Sequence, residues 1–304
     1  MKRLAIVGVF FDGYIDLWRD FFGLMKKNWP DCPYDLYVID NEIQLSDSDT
    51  CGLDVNVINA GKNAEYSKKI QMAIEHIDAE YLLLLLEDFY IVSPVCTKKI
   101  IDIMKLIENE DIDYYSMPMP EFIDKKEKES FKDYSLRKIS KNREYIFSCQ
   151  PSIWNKDFLK LCIGKENYNA WIFEGIYAKT DSVRNDRFLK YSVLDYSNPL
   201  NLRHGAIQGK LVPNTVKLIS KCGYSITTSR DILPRKYVIK HQIKNFGHRV
   251  CMVPGFSIIR KIFKKDSTLE RYSEEIKSIS KKIIDSTKID SYIRLKERNV
   301  CIKK

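Results

Sequence analysis

Apolar residues in this chain gather into short unbroken runs, and between the runs they recur at intervals of three and four, the pattern of strands alternating with helices. Leu4–Phe10 is the first run, and Phe11-Asp12-Gly13 is the turn that ends it. Tyr14–Asn28 then places Ile15, Trp18, Phe22 and Met25 on one face and stops at Trp29-Pro30, which predicts an amphipathic helix. Tyr34–Ile39 predicts a second strand, ending in Asp40-Asn41-Glu42, and Val55–Ile58 a third. The turn cluster Asn59-Ala60-Gly61-Lys62-Asn63 opens a helix that closes at His76–Glu80. The segment Tyr81–Pro94 follows, with five consecutive leucines from Leu82 to Leu86. Such a run cannot alternate between core and solvent, so it predicts a central strand covered on both faces. It is too short to span a bilayer.

The second half reads less regularly. Ile100, Ile103, Met104 and Ile107 mark a helix over Thr97–Glu108, and Tyr114–Met119 a strand. Glu121–Asp133 is dense in Lys, Glu and Asp and predicts a solvated loop. Tyr145–Pro151 is expected to be a strand and Ser152–Leu161 a short helix. Trp171, Phe173 and Tyr177 are expected in the core. Asn214–Cys222 predicts a helix that Gly223 terminates, and Leu269, Tyr272, Ile276, Ile279 and Ile283 a last amphipathic helix that packs on the body or on another subunit. Strand, short loop, helix is the opening of a Rossmann-like half, but the G-x-G-x-x-G phosphate fingerprint is missing, which argues against a dinucleotide enzyme.

The candidate chemistry starts where the leucine run stops, at Glu87 and Asp88. These two carboxylates fall at the carboxyl edge of a buried strand, where open α/β sheets bind ligands, although an acidic pair after a strand also suits a plain solvated turn. Asp12 and Asp40 end earlier strands at the same edge, and each alone also suits a loop or cap. Glu174, in the aromatic stretch Glu166–Thr180, has two readings: a proton acceptor with a raised pKa, or a helix-face carboxylate paired with Lys179 or Arg184. His204 sits in a Gly-flanked stretch, read as a loop, beside Arg203 and Lys210. Its imidazole suits a divalent metal, and the two cations suit a diphosphate.

The order strand, N-x-G turn (Asn59, Gly61), helix, Ala79-Glu80-Tyr81-Leu82 and an acidic strand end resembles family 2 glycosyltransferases of the GT-A fold. The resemblance covers about residues 1–230 and is clearest over Asn59–Phe89. It implies an α/β, GT-A (Rossmann-like) mixed sheet flanked by helices. It also implies a nucleotide sugar bound by Phe10, Asp12, Asp40, Gly61, Lys62, Glu87, Asp88, Arg203 and Lys210, with Glu174 as catalytic base. A divalent cation, Mg2+ or Mn2+, is expected on Asp88, Glu87 and His204. The family's acidic D-x-D is replaced by Glu87-Asp88-Phe89, which puts the usual metal bridge in doubt. His204 and Lys210 keep the six-residue interval of the H-x-x-G-x-x-K of family 8 glycosyltransferases, with the glycines displaced to 205 and 209.

Charge adds a boundary. The 304 residues carry +9 overall, but Asp231–Lys304 holds 19 Lys/Arg against 8 Asp/Glu, leaving −2 for residues 1–230. This divides the chain into a body, 1–230, and a basic, mainly helical extension, 231–304. Lysines interleaved with apolar residues over Phe256–Lys265 suit an anionic membrane surface. Met1-Lys2-Arg3 runs straight into the first strand, so no signal peptide is expected, and the eight cysteines lack C-x-x-C spacing, which suits reduced thiols. The expectation is a cytoplasmic enzyme, peripheral on the inner face of the plasma membrane, that acts on a glycan or lipid-linked acceptor in surface polysaccharide synthesis. A homodimer through the last helix is also considered. One alternative is a non-enzymatic module whose basic tail engages nucleic acid, although no nucleic-acid motif is present. Another is a sugar-nucleotide nucleotidyltransferase, which lacks its Gly-rich signature here.

Overall fold

The computed structural model describes residues 3–119, 136–143, 145–179, 181–183, 186–234 and 268–302. The Glu121–Asp133 and Phe256–Lys265 segments lie outside these residues. The first three strands, β1 (Leu4–Val9), β2 (Asp35–Asp40) and β3 (Asn56–Asn59), and the leucine strand β4 (Tyr81–Leu85) are mutually parallel, in the order β3-β2-β1-β4. The sheet continues with β8 (Ser152–Asn155), β6 (Tyr114–Ser116), β9 (Ser192–Leu194) and β7 (Arg137–Lys138). Because β8 is antiparallel to both β4 and β6, the sheet is mixed.

Alternation along β4 fills both faces, as the unbroken leucine run requires. Tyr81, Leu83 and Leu85 join one core with Ile6, Phe10, Trp18 and Phe22, while Leu82 and Leu84 join the other with Val7, Val9 and Trp154. The first face is covered by α1 (Ile15–Asn28) and α3 (Thr97–Asn109). The second is covered by α2 (Tyr66–His76), α4 (Lys156–Ile163) and α5 (Ala170–Lys179). Helix α1 starts one residue later than the periodicity predicts, because Asp12–Tyr14 forms a single 3-10 turn first.

Two expectations are corrected. Residues 145–151 are not a strand; the strand is Ser152–Asn155, inside the stretch predicted as helix. The helix starts at Lys156, because the Asn155 carboxamide oxygen accepts the amides of Asp157 and Phe158 and so ends the strand as a helix cap. Second, Leu202–His204 is not loop but a strand, β10, antiparallel to β5 (Phe89–Ile91), with His204 opposite Phe89. Gly205 precedes a separate hairpin of β11 (Ala206–Ile207) and β12 (Lys210–Leu211), Gly209 lies in its turn, and α6 (Pro213–Lys221) follows it.

The described residues after 267 form α7 (Thr268–Arg271), α8 (Ser273–Ile283) and α9 (Ser286–Ile302). Ile276, Ile283, Ile289 and Ile293 are buried in the second core, so the apolar stripe of these helices faces the body of the same chain. A buried ion pair fastens α9: the Lys296 ammonium donates to Asp113, which also accepts from the Tyr292 hydroxyl at 2.8 Å. Lys296 further lies 4.9 Å from the Tyr191 ring centroid. No helix among the described residues is long and apolar enough to cross a membrane.

Removing one member of a buried pair strands the other charge, at a cost of about 3–5 kcal/mol. Lys296→Met is therefore expected to lower the urea midpoint strongly, and adding Asp113→Asn is expected to recover part of the loss. Equal destabilisation by the single and double variants would show that the pair does not fasten α9.

Candidate functional site at the carboxyl edge of the parallel strands

Four parallel strands end at one edge, and the turns that follow them build the site. After β1, Asp12 turns toward the end of β2, its carboxylate accepting the amides of Asn41 at 2.8 Å and Glu42 at 3.1 Å. Asp40, the last residue of β2, accepts from the Asn59 carboxamide at 2.6 Å, and Asn59 ends β3. Gly61 follows with φ +90°, a conformation that an L side chain strains, and its amide donates to the Asn41 carbonyl at 3.0 Å. After β4, Glu87 turns inward and Asp88 outward. Asp12, Asp40, Asn59, Gly61, Glu87 and Asp88 thus share one edge, as the sequence order predicts.

Their exposures differ. Asp40 is fully buried, and its Oδ2 makes no hydrogen bond among the described residues. Burial, reinforced by nearby Asp12, pushes its pKa up to about 6. Glu87 is buried, and its carboxylate accepts from the Phe11 amide at 3.4 Å. Loss of solvation, then the charge of Asp88, pushes its pKa up to about 8, so at neutral pH it is mainly a neutral acid. The Phe10 side chain is packed among Trp18, Phe21 and Phe22, so only its backbone faces the edge. Phe10 and Asp40 therefore shape the edge from beneath. Lys62 and Gly61 lie exposed on its rim.

The far side of the site comes from the second half of the chain. The pairing of β10 with β5 carries His204 to Asp88, with 3.6 Å between Nδ1 and Oδ2. The backbone is pinned there too, since the Gly205 amide donates to the Asp88 carbonyl at 2.6 Å and the Thr215 hydroxyl to the His204 carbonyl at 2.6 Å. Glu174, on α5, accepts the Cys149 amide at 2.9 Å and lies within electrostatic range of His204. Burial raises its pKa above the ordinary carboxylate value, and the Cys149 amide and His204 oppose the rise. Of its two suggested cationic partners, the side chains of Lys179 and Arg184 lie outside what is described. Lys210 is 3.7 Å from Asp231 on the hairpin, and the Arg203 guanidinium donates to the Leu202 carbonyl at 2.9 Å.

Among the described residues no group of three or more His, Cys, Asp and Glu side chains is disposed to hold a metal ion. Asp88 and His204 form a pair, and Glu87 is turned away from it. Two protein ligands suit a magnesium-like cation that keeps its waters and shares substrate phosphates rather than one caged by protein.

One residue at the edge is absent from the sequence reading. Lys69, on the second turn of α2, is only 4% exposed. Its ammonium donates to the Phe10 carbonyl and to the Asn41 carboxamide oxygen, the latter at 2.7 Å. A lysine on a helix normally marks the solvated face, although Lys69 lies four residues before Ala73, at the margin of the apolar stripe of α2. The available clue is its sequence neighbourhood, Ser67 and Ile70, which are buried on either side of it. A cleft of about 270 Å³ lined by Arg3, Tyr34, Tyr37 and Asp78 lies at the opposite edge of the sheet, remote from all of these groups.

A mixed, largely parallel sheet with helices on both faces and its polar groups gathered at the carboxyl edge is a Rossmann-like α/β fold. No family model matches the sequence, and no curated protein matches it. Solved structures of similar layout include Staphylococcus aureus TarS 1–349 in complex with UDP, at 14% identity over 90% of this chain and 78% of that one, with a TM-score of 0.44. The same fragment in complex with UDP-GlcNAc matches at 13% identity over 65% and 56%, with a TM-score of 0.40. A longer TarS structure matches over 65% of this chain, which spans about a third (35%) of that chain. A cytidylyltransferase from Leptospira borgpetersenii matches at 14% identity over 77% of this chain and 100% of that one, with a TM-score of 0.39.

The titration of Glu87 has a definite sign. Its folded pKa lies above its ordinary value of 4.5, so the stability it contributes is whole below that pH and is lost as pH rises through about 8. In the presence of a chelator, Glu87→Gln is expected to melt close to the wild type at pH 5 and a few degrees above it at pH 9. Melting curves that stay parallel across this range would place the ionisation elsewhere.

Proposed function

We propose that this chain is a nucleotide-sugar-dependent glycosyltransferase. The observation that carries the reading is the meeting of two sets of groups. Acids and turns from four parallel strands form one edge, and strand β10 and helix α5 bring a histidine and a desolvated carboxylate to its far side. Edges of this kind bind nucleotides in open α/β sheets, and a buried carboxylate with a raised pKa is suited to take a proton near neutral pH.

In the proposed reaction the donor lies along the turns after β1, β2 and β3, with its diphosphate toward Asp88. Glu174 removes the proton of an acceptor hydroxyl as that oxygen attacks the anomeric carbon. The bond from that carbon to the diphosphate oxygen breaks, and its electron pair leaves with the nucleotide. Direct attack of this kind inverts the anomeric centre. Asp88 and His204 are the groups that would hold a divalent cation, which would offset the charge gathering on the leaving phosphate. Arg203 and Lys210, near His204 in sequence, would add positive charge to the neighbourhood of the site. The acceptor is proposed to be a glycan or lipid-linked hydroxyl in surface polysaccharide synthesis, with the +11 of residues 231–304 attracting the enzyme to an anionic membrane surface.

Ligand that binds only the folded state raises the melting point by mass action. One of UDP, GDP and CMP is expected to raise it in the presence of manganese. Asp88→Ala is expected to lose that shift, and Glu174→Gln to keep it while losing at least about a hundredfold in transfer rate. Failure of all three nucleotides to shift the wild type would sink the proposal and turn attention to the basic extension as a polyanion-binding element.

A further inference from the structure

We infer that Lys69 is the positioning residue of the donor edge, a buried cation that locks the turns after β1, β2 and β3 into one arrangement. The inference rests on the donor-binding part of the proposed function, but the tether it describes is a property of the chain itself. Three observations carry it. First, the ammonium reaches two different turns at once, the Phe10 carbonyl after β1 and the Asn41 carboxamide oxygen after β2. Second, that same Asn41 side chain spends its two N–H groups on a third turn, donating to the carbonyls of Gly61 at 2.9 Å, Lys62 at 3.3 Å and Ala64 at 2.8 Å. Asn41 backbone atoms complete the knot, with the amide donating to Asp12 and the carbonyl accepting from Gly61. Third, the carboxylates that bear electrostatically on Lys69 are Asp12, Glu87, Asp40 and Glu65, which surround it from β1, β4, β2 and the start of α2.

The consequence is geometric and electrostatic together. Without a hydrogen-bond donor at Lys69, the Asn41 carboxamide oxygen loses its partner, and the hold of Asn41 on residues 61–64 is no longer set by the turn after β1. Without the charge, several carboxylates share a buried edge that is meant to receive an anionic diphosphate. Lys69 is too deeply buried to touch the donor as the edge stands, so it acts through Phe10, Asn41 and the glycine turn. A misplacement of about 1 Å in such a turn is enough to weaken binding or catalysis by one to two orders of magnitude.

The test uses Lys69→Met, which keeps the length of the stem, Lys69→Arg, which keeps the charge, and Asn41→Ala, which leaves the lysine in place. Hydrogen exchange is read at peptides covering residues 10–14, 41–45 and 60–65, and the binding constant is read for whichever of UDP, GDP and CMP stabilises the wild type. Expected results are faster exchange in all three turns in Lys69→Met and Asn41→Ala, about tenfold weaker nucleotide binding in each, partial recovery in Lys69→Arg, and no further loss in the double variant Lys69→Met/Asn41→Ala. Losses that add in the double variant, or exchange that changes only within α2, would overturn the inference. If no nucleotide binds the wild type, the donor-binding reading fails on that result, while the exchange data still decide whether Lys69 ties the three turns. Should Lys69→Met not fold, the half-buried Asn41→Ala carries the same exchange test.

Discussion

Strand β4 is covered on both faces, and that single constraint arranges most of the molecule. Its five residues each lie at or below 6% exposure, between parallel β1 on one side and antiparallel β8 on the other. A strand with one wet face is held in register because a slip of one residue would turn its apolar set outward. Here both faces are apolar, so a slip would exchange leucine for leucine and the faces alone cannot fix it. What stops the strand is its ends. A slip of two residues in one direction would set Glu87 opposite Gly8 of β1, and a slip of one in the other would set Glu80 opposite Leu4 and pull it inward, where its carbonyl now accepts the Lys156 amide. The abrupt change from Leu86 to Glu87 is therefore a register stop, and it places the acids at the edge in the same step.

The edge itself is electrostatically costly, and its cost is shared unevenly. Glu87 and Asp40 lose their hydration and are held toward the neutral form, whereas Asp12 keeps two backbone donors. Lys69 loses hydration as well, and its lowered pKa shows burial outweighing the attraction of the acids around it. Nothing in the packing of the two cores requires these groups to be buried. Burial of titratable groups that the packing does not require fits a site better than a core.

Legibility in the sequence followed the physics of each element. Strands β1 and β4 and helices α1, α3 and α6 could be read because one property, apolar period, decides them. The strand at Ser152–Asn155 was displaced because Ile153, Trp154 and Phe158 fit a helical face as well as an alternating strand, and the deciding group was a cap, Asn155, whose action depends on where the strand ends. His204 was placed in a loop because Gly205 and Gly209 are turn residues, yet the turn they make belongs to the hairpin beyond it, and β10 finds its partner about 110 residues upstream. No local pattern announces such a pairing. Lys69 and Lys296 share a different obstacle: lysine reads as solvent, and only tertiary structure shows a carboxylate or carbonyl waiting for it. Charge alone likewise marks residue 230 as a boundary, although Ile276, Ile283, Ile289 and Ile293 beyond it belong to the second core.

The departure from D-x-D has a geometric meaning. A D-x-D carries its acids two residues apart, whereas Glu87 and Asp88 are consecutive and lie in the turn after β4, closed by the Phe89 amide on the Leu86 carbonyl at 3.1 Å. Glu87 goes under the edge to the Phe11 amide, and Asp88 goes over it. The residue after Asp88 is Phe89, the first of β5, and β5 pairs with β10 so that Phe89 stands opposite His204. The two rings pack edge to face at 5.3 Å, which sets the imidazole against Asp88. Asp88 thus faces an imidazole. A neutral imidazole binds divalent ions without adding negative charge to an edge that already carries four carboxyl groups around Lys69.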